Sequence, residues 1–591
     1  MSISDPKSAS AKGGFGVFPE GDGWRLVVFA EEIEAITVSL DGIDYPLEPA
    51  PLKPNTYTRL FPHLKAPFTY VYNIFKNNNF YANLLDPFCQ FTDESGTKSV
   101  HRDSDPFTFK TKRPHHPAEK TILYEICTRG FTNHPSSKVK NPGTFEGVIE
   151  KLPFLKTLGI TAIELMPVTL FTPYRIWGYM PRSTMALAPH LSSDHNPTLG
   201  LKKLVDAAHC QGIEVIVDLV FNHTDTMENT LFPFSDNIYL KNFDATGCGN
   251  TLNVNHPWLK SLLIRSCELF VEEYQIDGIR FDLGLALCRD ANGVIQSTPP
   301  FIHDFENRYK NKIKIFYEPW DASGYQIENF PSKNGCLWDD RIRDTIRRFA
   351  RMEEGQVPAL HDLINSPNSV KMVTCHDGFS LLDLVSYNEK HNWANGYKNR
   401  DGHDSNFSSN CGVEGETSDS TIIQERLERM QIILTLLFCF SGPILLKSGD
   451  EQANTQHGNN NPFNQDNQIN YVHWNSPHRE EMLDFTKKLI QIYLNTPLSN
   501  PHALIKFHGK DPDQVNFSSI DHLFALSKTD RTSSIFVAIN TWTDPIQITP
   551  PENDAPHSSW TVLLTNASDP LLLSQNNFAI LEKKFDTALD M

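Results

Sequence analysis

Asp282, Glu318 and Asp377 each stand just past a short apolar run, in GIRFDLGLAL, FYEPWD and TCHDGFS respectively. VDLVFNHT, ending at Thr224, brings Asp218, Asn222 and His223 past a run of the same kind. Short apolar runs between polar stretches read as buried parallel strands. A carboxylate at the end of one is costly unless it is paired or used. Parallel barrels send such residues into a single cleft at the C-terminal ends of their strands, where barrel enzymes place their chemistry. Taken singly, each segment has a structural explanation. Arg280 with Asp282 is a simple ion pair, Glu318 a loop salt bridge, His376-Asp377 a common loop dipeptide and His223 a satisfied core histidine. Four such clusters at four strand ends are not accounted for by four separate coincidences.

The chemistry follows from the residue types. Arg280 and Asp282 lie two apart on one strand and face the same way. The arginine can hold the aspartate ionised, as a nucleophile requires. Pro319 stops the strand before it, placing Glu318 at the mouth, where the surroundings can raise its pKa for acid/base work. Asp218, Asn222 and His223 offer hydrogen bonds to hydroxyls. Two carboxyls flanking a sugar ring, one nucleophilic and one protonated, constitute glycosidase chemistry.

The elements that must hold these residues apportion a chain of 591 residues, too long for one ordinary domain. Residues 1–112 alternate as strands do, in WRLVVFA, AITVSL and FTYVYNIF, and predict a small β-sandwich. Residues 113–492 switch to short apolar strands separated by amphipathic helices. ILYEIC, TAIELM, EVIVDLV, DGIRFD, IKIFYE, a weak segment at Cys336-Leu337-Trp338, KMVTC and PILLK count as eight strands, the number of a closed (β/α)8 TIM barrel. FEGVIEKLPFLKTLG reads as one of the helices between them, with Gly159 as its stop. Alternation returns over residues 493–591, in HLFALSK, SSIFVAINTW and SWTVLLT, predicting a C-terminal all-β sandwich.

A formal net charge of -18 disfavours nucleic acid and anionic membranes as partners, since both need basic stripes. A neutral ligand is fully compatible. The ten cysteines are scattered without a CxxC pair, which predicts neither disulfide framework nor zinc site and favours a reducing, cytoplasmic setting. The start, MSISDPKSASAKGG, has no apolar h-region of a signal peptide. IILTLLFCFSGPILL is broken by Gly442-Pro443 and reads as a buried helix followed by a buried strand.

These segments resemble the ordered signature of the α-amylase superfamily of glycoside hydrolases, and within it the isoamylase and bacterial glycogen debranching group. YEICTRGFT, IELMPV, RIWGYMPRS and SGDEQANTQHGNNNPFNQD extend the likeness, and LLDPFCQ resembles the end of the carbohydrate-binding-like module that precedes such barrels. LVSYNEKHNWANGYKNRDGHDSNFSSNCGVEGET is similar to the long polar insert of debranching enzymes. The resemblance implies Asp282 as nucleophile, Glu318 as general acid/base and Asp377 as stabiliser of the distorted ring. It implies Asp218, His223, Arg280 and His376 around the sugar, Tyr179 as its stacking platform, and Trp177 and Trp320 as neighbours. The implied partner is glycogen or another branched α-glucan, with no organic cofactor and room for a structural calcium. Two departures, EIC before Thr128 and GCLWDDRIRD near strand six, touch none of the implied catalytic positions. An α-1,4-acting amylase or branching transferase would use the same acids, whereas a silent glucan-binding subunit would lack one. The insert favours debranching, and all three acids are retained.

Overall fold

The computed structural model describes residues 14–585 apart from residues 52, 227–230, 365, 367, 511–520 and 552–558. At its centre run eight parallel strands: β1 (Ile122–Ile126), β2 (Ala162–Leu165), β3 (Glu214–Leu219), β4 (Gly278–Phe281), β5 (Lys314–Tyr317), β6 (Cys336–Trp338), β7 (Ser369–Val370) and β8 (Ile444–Lys447). Each pairs with its neighbour in chain order and β8 pairs with β1. A parallel bridge between Lys371 and Ile444 closes the ring, with the Lys371 N–H donating to Pro443 at 2.9 Å and the Leu445 N–H to Lys371 at 2.8 Å. Leu123, Ala162, Ile216, Phe316, Trp338, Val370, Met372 and Leu445 pack as one buried cluster drawn from seven of the strands. The ring is therefore a filled core and not a pore.

Strand seven differs from the predicted KMVTC. Its ladder covers Ser369–Val370 and ends at the Lys371 bridge. Met372, Val373 and Cys375 beyond it are buried all the same. There Arg347 Nε donates to the Val373 carbonyl at 2.8 Å and Thr374 bonds the Asp450 carboxylate, so side chains take over from the ladder. An apolar run reports burial, and burial outlasts the ladder here.

The helix predicted before β2 spans Phe145–Leu158. Thr144 caps it by accepting from the Gly147 N–H at 3.2 Å. Gly159 ends it at φ +102°, and a Cβ there would come 2.7 Å from Ile490. IILTLLFCFSGPILL divides as expected, its first part in the helix Ser420–Leu437 and its last in β8. Between β5 and β6 the short hairpin Trp320–Asp321 with Gly324–Tyr325 replaces the helix. Among the described residues, no helix is long and apolar enough to cross a membrane.

Antiparallel sheets flank the barrel in sequence. Gly16–Glu20, Gly23–Phe29, Thr56–Phe61 and Glu48–Pro49 form one, and Ala35–Leu40 with Phe68–Lys76 centre a second. A five-stranded sheet runs from Leu504–Phe507 to Asn577–Lys584. The first pair docks through Phe29, stacked on Trp258 with ring centroids 4.9 Å apart, and through buried Lys76, 3.0 Å from Asp236. Deleting residues 1–112 is expected to lower the melting temperature and soluble yield. It uncovers Trp258 and its neighbours, at about 2 kcal/mol for each large apolar side chain exposed. An unaltered thermal melt of the truncated chain would show the barrel to be independent of these sheets.

Candidate active site

Arg280, on β4, is fully buried and organises the cleft at the C-terminal ends of the strands. Its Nη1 lies 2.6 Å from Asp218 Oδ2 and 3.2 Å from Asp282 Oδ1, while Nη2 bonds Glu318 Oε1. Its guanidinium carbon sits 4.6 Å from the centre of the Trp338 ring. Burial works against the cation, but the carboxylates of Asp218 and Glu318 hold its pKa well above the ordinary arginine value. The Arg280–Asp282 pair predicted from the strand register is present. Its contact is longer than that to Asp218, because one planar fork serves three acids.

Asn222, read from the sequence as a donor to hydroxyls, is instead committed to the protein. Its Nδ2 donates to Asp282 Oδ2 at 2.8 Å and to the Asp282 carbonyl at 2.7 Å. Asp282 thus has a different donor on each carboxylate oxygen, which fixes its orientation. Glu318, 7% exposed, accepts from Arg280 and, at 2.7 Å on Oε2, from the Leu283 N–H. Burial pushes its pKa up more strongly than Arg280 pulls it down, and the nearby Asp282 charge adds to the rise. Asp218 accepts from the Tyr179 hydroxyl at 2.6 Å, and burial raises its pKa to about 6.

Across the cleft, the His376 ring stacks on Tyr179 with centroids 4.8 Å apart and planes at 23°. Its Nδ1 donates to Glu125 Oε1 at 2.7 Å. Burial lowers the His376 pKa, yet the Glu125 charge and hydrogen bond outweigh it and leave the imidazole raised. His223 holds the Tyr179 carbonyl at 2.8 Å through Nε2 and meets Asn222 through Nδ1; burial lowers its pKa. Trp177 meets His376 edge-on at 5.2 Å, and its indole N–H donates to Asn470 at 3.1 Å. Being buried, it braces His376 from behind. Trp320 packs against the buried cluster that includes Phe316 and Trp338, its ring parallel to Tyr325 with centroids 6.3 Å apart.

Asp377 lies outside the Arg280 network. Its side chain is 45% exposed, and Oδ2 accepts from His403 Nε2 at 2.9 Å. Burial raises its pKa, but the His403 hydrogen bond and charge prevail and hold it at about 2. Glu125, Glu164 and His403 escaped the sequence reading. Glu125 and Glu164 left a signal, a carboxylate inside the apolar strands ILYEIC and TAIELM. Glu164 is buried 2% exposed, and desolvation pushes its pKa well above the usual carboxylate range. His403 left none, since it sits among polar residues of the insert.

The cleft therefore presents an oriented carboxylate, a second carboxyl biased toward its protonated form and a third that remains ionised. The α-amylase catalytic-domain family matches residues 125–237. Isoamylase 3, chloroplastic, of Oryza sativa subsp. japonica is 34% identical over 450 residues, covering 67% of this chain and 57% of that protein. The glycogen operon protein GlgX homolog of Haemophilus influenzae is 36% identical over 422 residues, 64% of each. The chain thus spans less than two thirds of the length of these relatives. Among solved structures, the pullulanase from Paenibacillus barengoltzii in complex with maltohexaose and α-cyclodextrin superposes with a TM-score of 0.79. It is 19% identical, with 96% of this chain and 95% of that one covered, so this likeness is one of fold.

Proposed function

Since the chain belongs to the α-amylase family, we infer that it is a retaining glycoside hydrolase of α-1,6 branch linkages in glycogen or a related α-glucan. The observation that carries this reading is the single Arg280 guanidinium that reaches both Asp282 and Glu318. It keeps the two carboxyls near each other, and retention needs them about 5 Å apart, close enough for direct attack on the anomeric carbon. Glu318, biased toward protonation, delivers its proton to the glycosidic oxygen as that bond breaks. Asp282 Oδ1 or Oδ2 bonds to the anomeric carbon, forming a covalent glycosyl-enzyme. The Glu318 carboxylate then takes a proton from water, whose oxygen displaces Asp282 and regenerates both groups.

Asp377, held ionised, binds ring hydroxyls and stabilises the oxocarbenium-like transition state. Tyr179, backed by the stacked His376 ring, supplies an aromatic face for the sugar, with Asp218, His223 and Arg280 beside it. The steps proposed here call for no organic cofactor or metal. The ten free cysteines suit a reducing cytoplasm.

An α-1,6 bond carries an extra exocyclic carbon, and its cleft must accept a main chain and a branch. The Gly-, Asn- and Asp-rich segments NRDGHDSNFSSNCG and QHGNNNPFNQDNQ, after β7 and β8, have the composition of hydroxyl-binding turns. That glycogen debranching enzymes are among the relatives favours the same linkage. Incubation with glycogen is expected to release linear malto-oligosaccharides and raise iodine staining. Unbranched amylose should be cut about a hundredfold more slowly or not at all, the discrimination a misfitted linkage allows. Progressive shortening of pure amylose would identify an α-1,4-acting amylase. New branches in it would identify a transferase, and inertness toward every glucan a binding subunit.

A further inference from the structure

His403 belongs to the polar insert after β7, far in sequence from the acids, yet it holds one oxygen of Asp377 at 2.9 Å. Exposed ion pairs usually contribute little, because two free side chains must be ordered to make them. Here the ordering is built into the backbone. The His403 carbonyl accepts from Asn460 Nδ2 at 2.7 Å and from Asn406 Nδ2 at 3.0 Å. The Asp401 carbonyl accepts from Asn392 Nδ2 at 2.9 Å, and the Gly402 carbonyl from Lys390 Nζ at 3.2 Å. Asn392 and Asn460 are themselves bonded at 2.8 Å and wholly buried. Between them runs Gly402 at φ +71°, where an added Cβ would fall 2.2 Å from Asn460 Oδ1 and 2.7 Å from Asn392 Nδ2. Only glycine fits that position, so the turn that presents His403 has one conformation.

We propose that His403 is a positioning residue for the glycosidic reaction, its imidazolium holding the Asp377 carboxylate in the orientation that meets the sugar. The inference rests on the role assigned to Asp377 above. With Oδ2 engaged by His403, Asp377 has fewer orientations in which it can meet a ring hydroxyl. A glucan filling the cleft would exclude water from both partners, whose side chains are 59% and 45% exposed without it. The pair strengthens as the local dielectric falls, at the moment when positive charge develops on the ring. The insert and the Asn-rich segment after β8 would then serve to place this imidazole. The raised His403 pKa, caused first by its hydrogen bond to Asp377, agrees with an imidazolium at neutral pH.

His403→Ala is expected to lower kcat on a branched maltosyl oligosaccharide about tenfold while KM shifts less than about threefold, the split that follows from losing an interaction made chiefly in the transition state. His403→Gln, whose amide can still donate to Oδ2, should recover most of the loss. Gly402→Ala, which keeps the histidine side chain but displaces the turn that presents it, should resemble His403→Ala. A kcat for His403→Ala within twofold of wild type, or a rise in KM alone, overturns the proposal. A second readout is independent of activity. In the full chain, the His403 ring signals should titrate lower in Asp377→Asn than in wild type, with Arg343, Arg347 and His376 unaltered around them. An unchanged titration removes the pair itself. If the titration shifts but no glucan is cleaved by wild type, the hydrolase reading has failed and the pairing has not.

Discussion

Asp282→Asn is expected to abolish turnover on branched glucan, by about four orders of magnitude or more, the scale on which a catalytic unit loses its nucleophile. The amide oxygen cannot form the covalent intermediate. The change is not silent in the fold either. Asp282 accepts from Asn222 on one oxygen and from Arg280 on the other, so an amide must turn its NH2 toward one of those donors. A loss of about 1–3 kcal/mol follows from that unsatisfied contact, small beside the activity loss. Glu318→Gln should also stop glycogen cleavage while still opening a substrate whose leaving group departs without a proton. Substantial glycogen turnover by either variant, with the protein still folded, would remove these residues from the roles assigned to them.

The pH profile separates the two acids. Burial raises the Glu318 pKa, so the proton donor is present below that raised value and is lost as pH rises through it. Activity should therefore fall on the alkaline side through Glu318. The same limb should be missing when Glu318→Gln acts on an activated substrate. Asp377, held at about 2, stays ionised over the whole working range and contributes no limb there.

How much of this was legible follows from what a sequence encodes locally. The strands that deliver Arg280, Asp282 and Glu318 are apolar runs with an acid at their ends, and both features lie within ten residues. The closed ring was countable for the same reason. The apolar run places strand seven too far along, because Met372 to Cys375 are as buried as a strand while the Val373 carbonyl and the Thr374 hydroxyl bond the side chains of Arg347 and Asp450. The functions of Asn222 and Glu125 depend on which neighbour each side chain reaches. Asn222 turns to Asp282 across sixty residues, and Glu125 to His376 across 251. No periodicity reports such pairings. His403 is the extreme case: its position is set by a glycine turn and by asparagines contributed from two separate loops.

Arg280→Met is expected to destabilise the protein by about 3–5 kcal/mol, because removing one partner of a buried ion network leaves uncompensated charge. Asp218, Asp282 and Glu318 would face one another without the cation that now contacts all three. Arg280→Lys keeps the charge but not the fork. A single ammonium cannot repeat contacts made from both Nη1 and Nη2, so stability should recover in part and activity should not. The deficit carries a definite pH signature. Without the guanidinium, which now pulls them down, the burial-raised pKa values of Asp218 and Glu318 rise further above their unfolded values of about 4. Groups shifted upward in this way favour the folded state while protonated, and that stability is lost as pH climbs toward the folded value. The gap between wild type and Arg280→Met should accordingly widen from acidic to alkaline solution. Denaturant unfolding at both ends of that range measures it. Equal stability of the two proteins in alkaline solution would mean that Arg280 does not neutralise the cleft, and the proximity of Asp282 and Glu318 would need another cause.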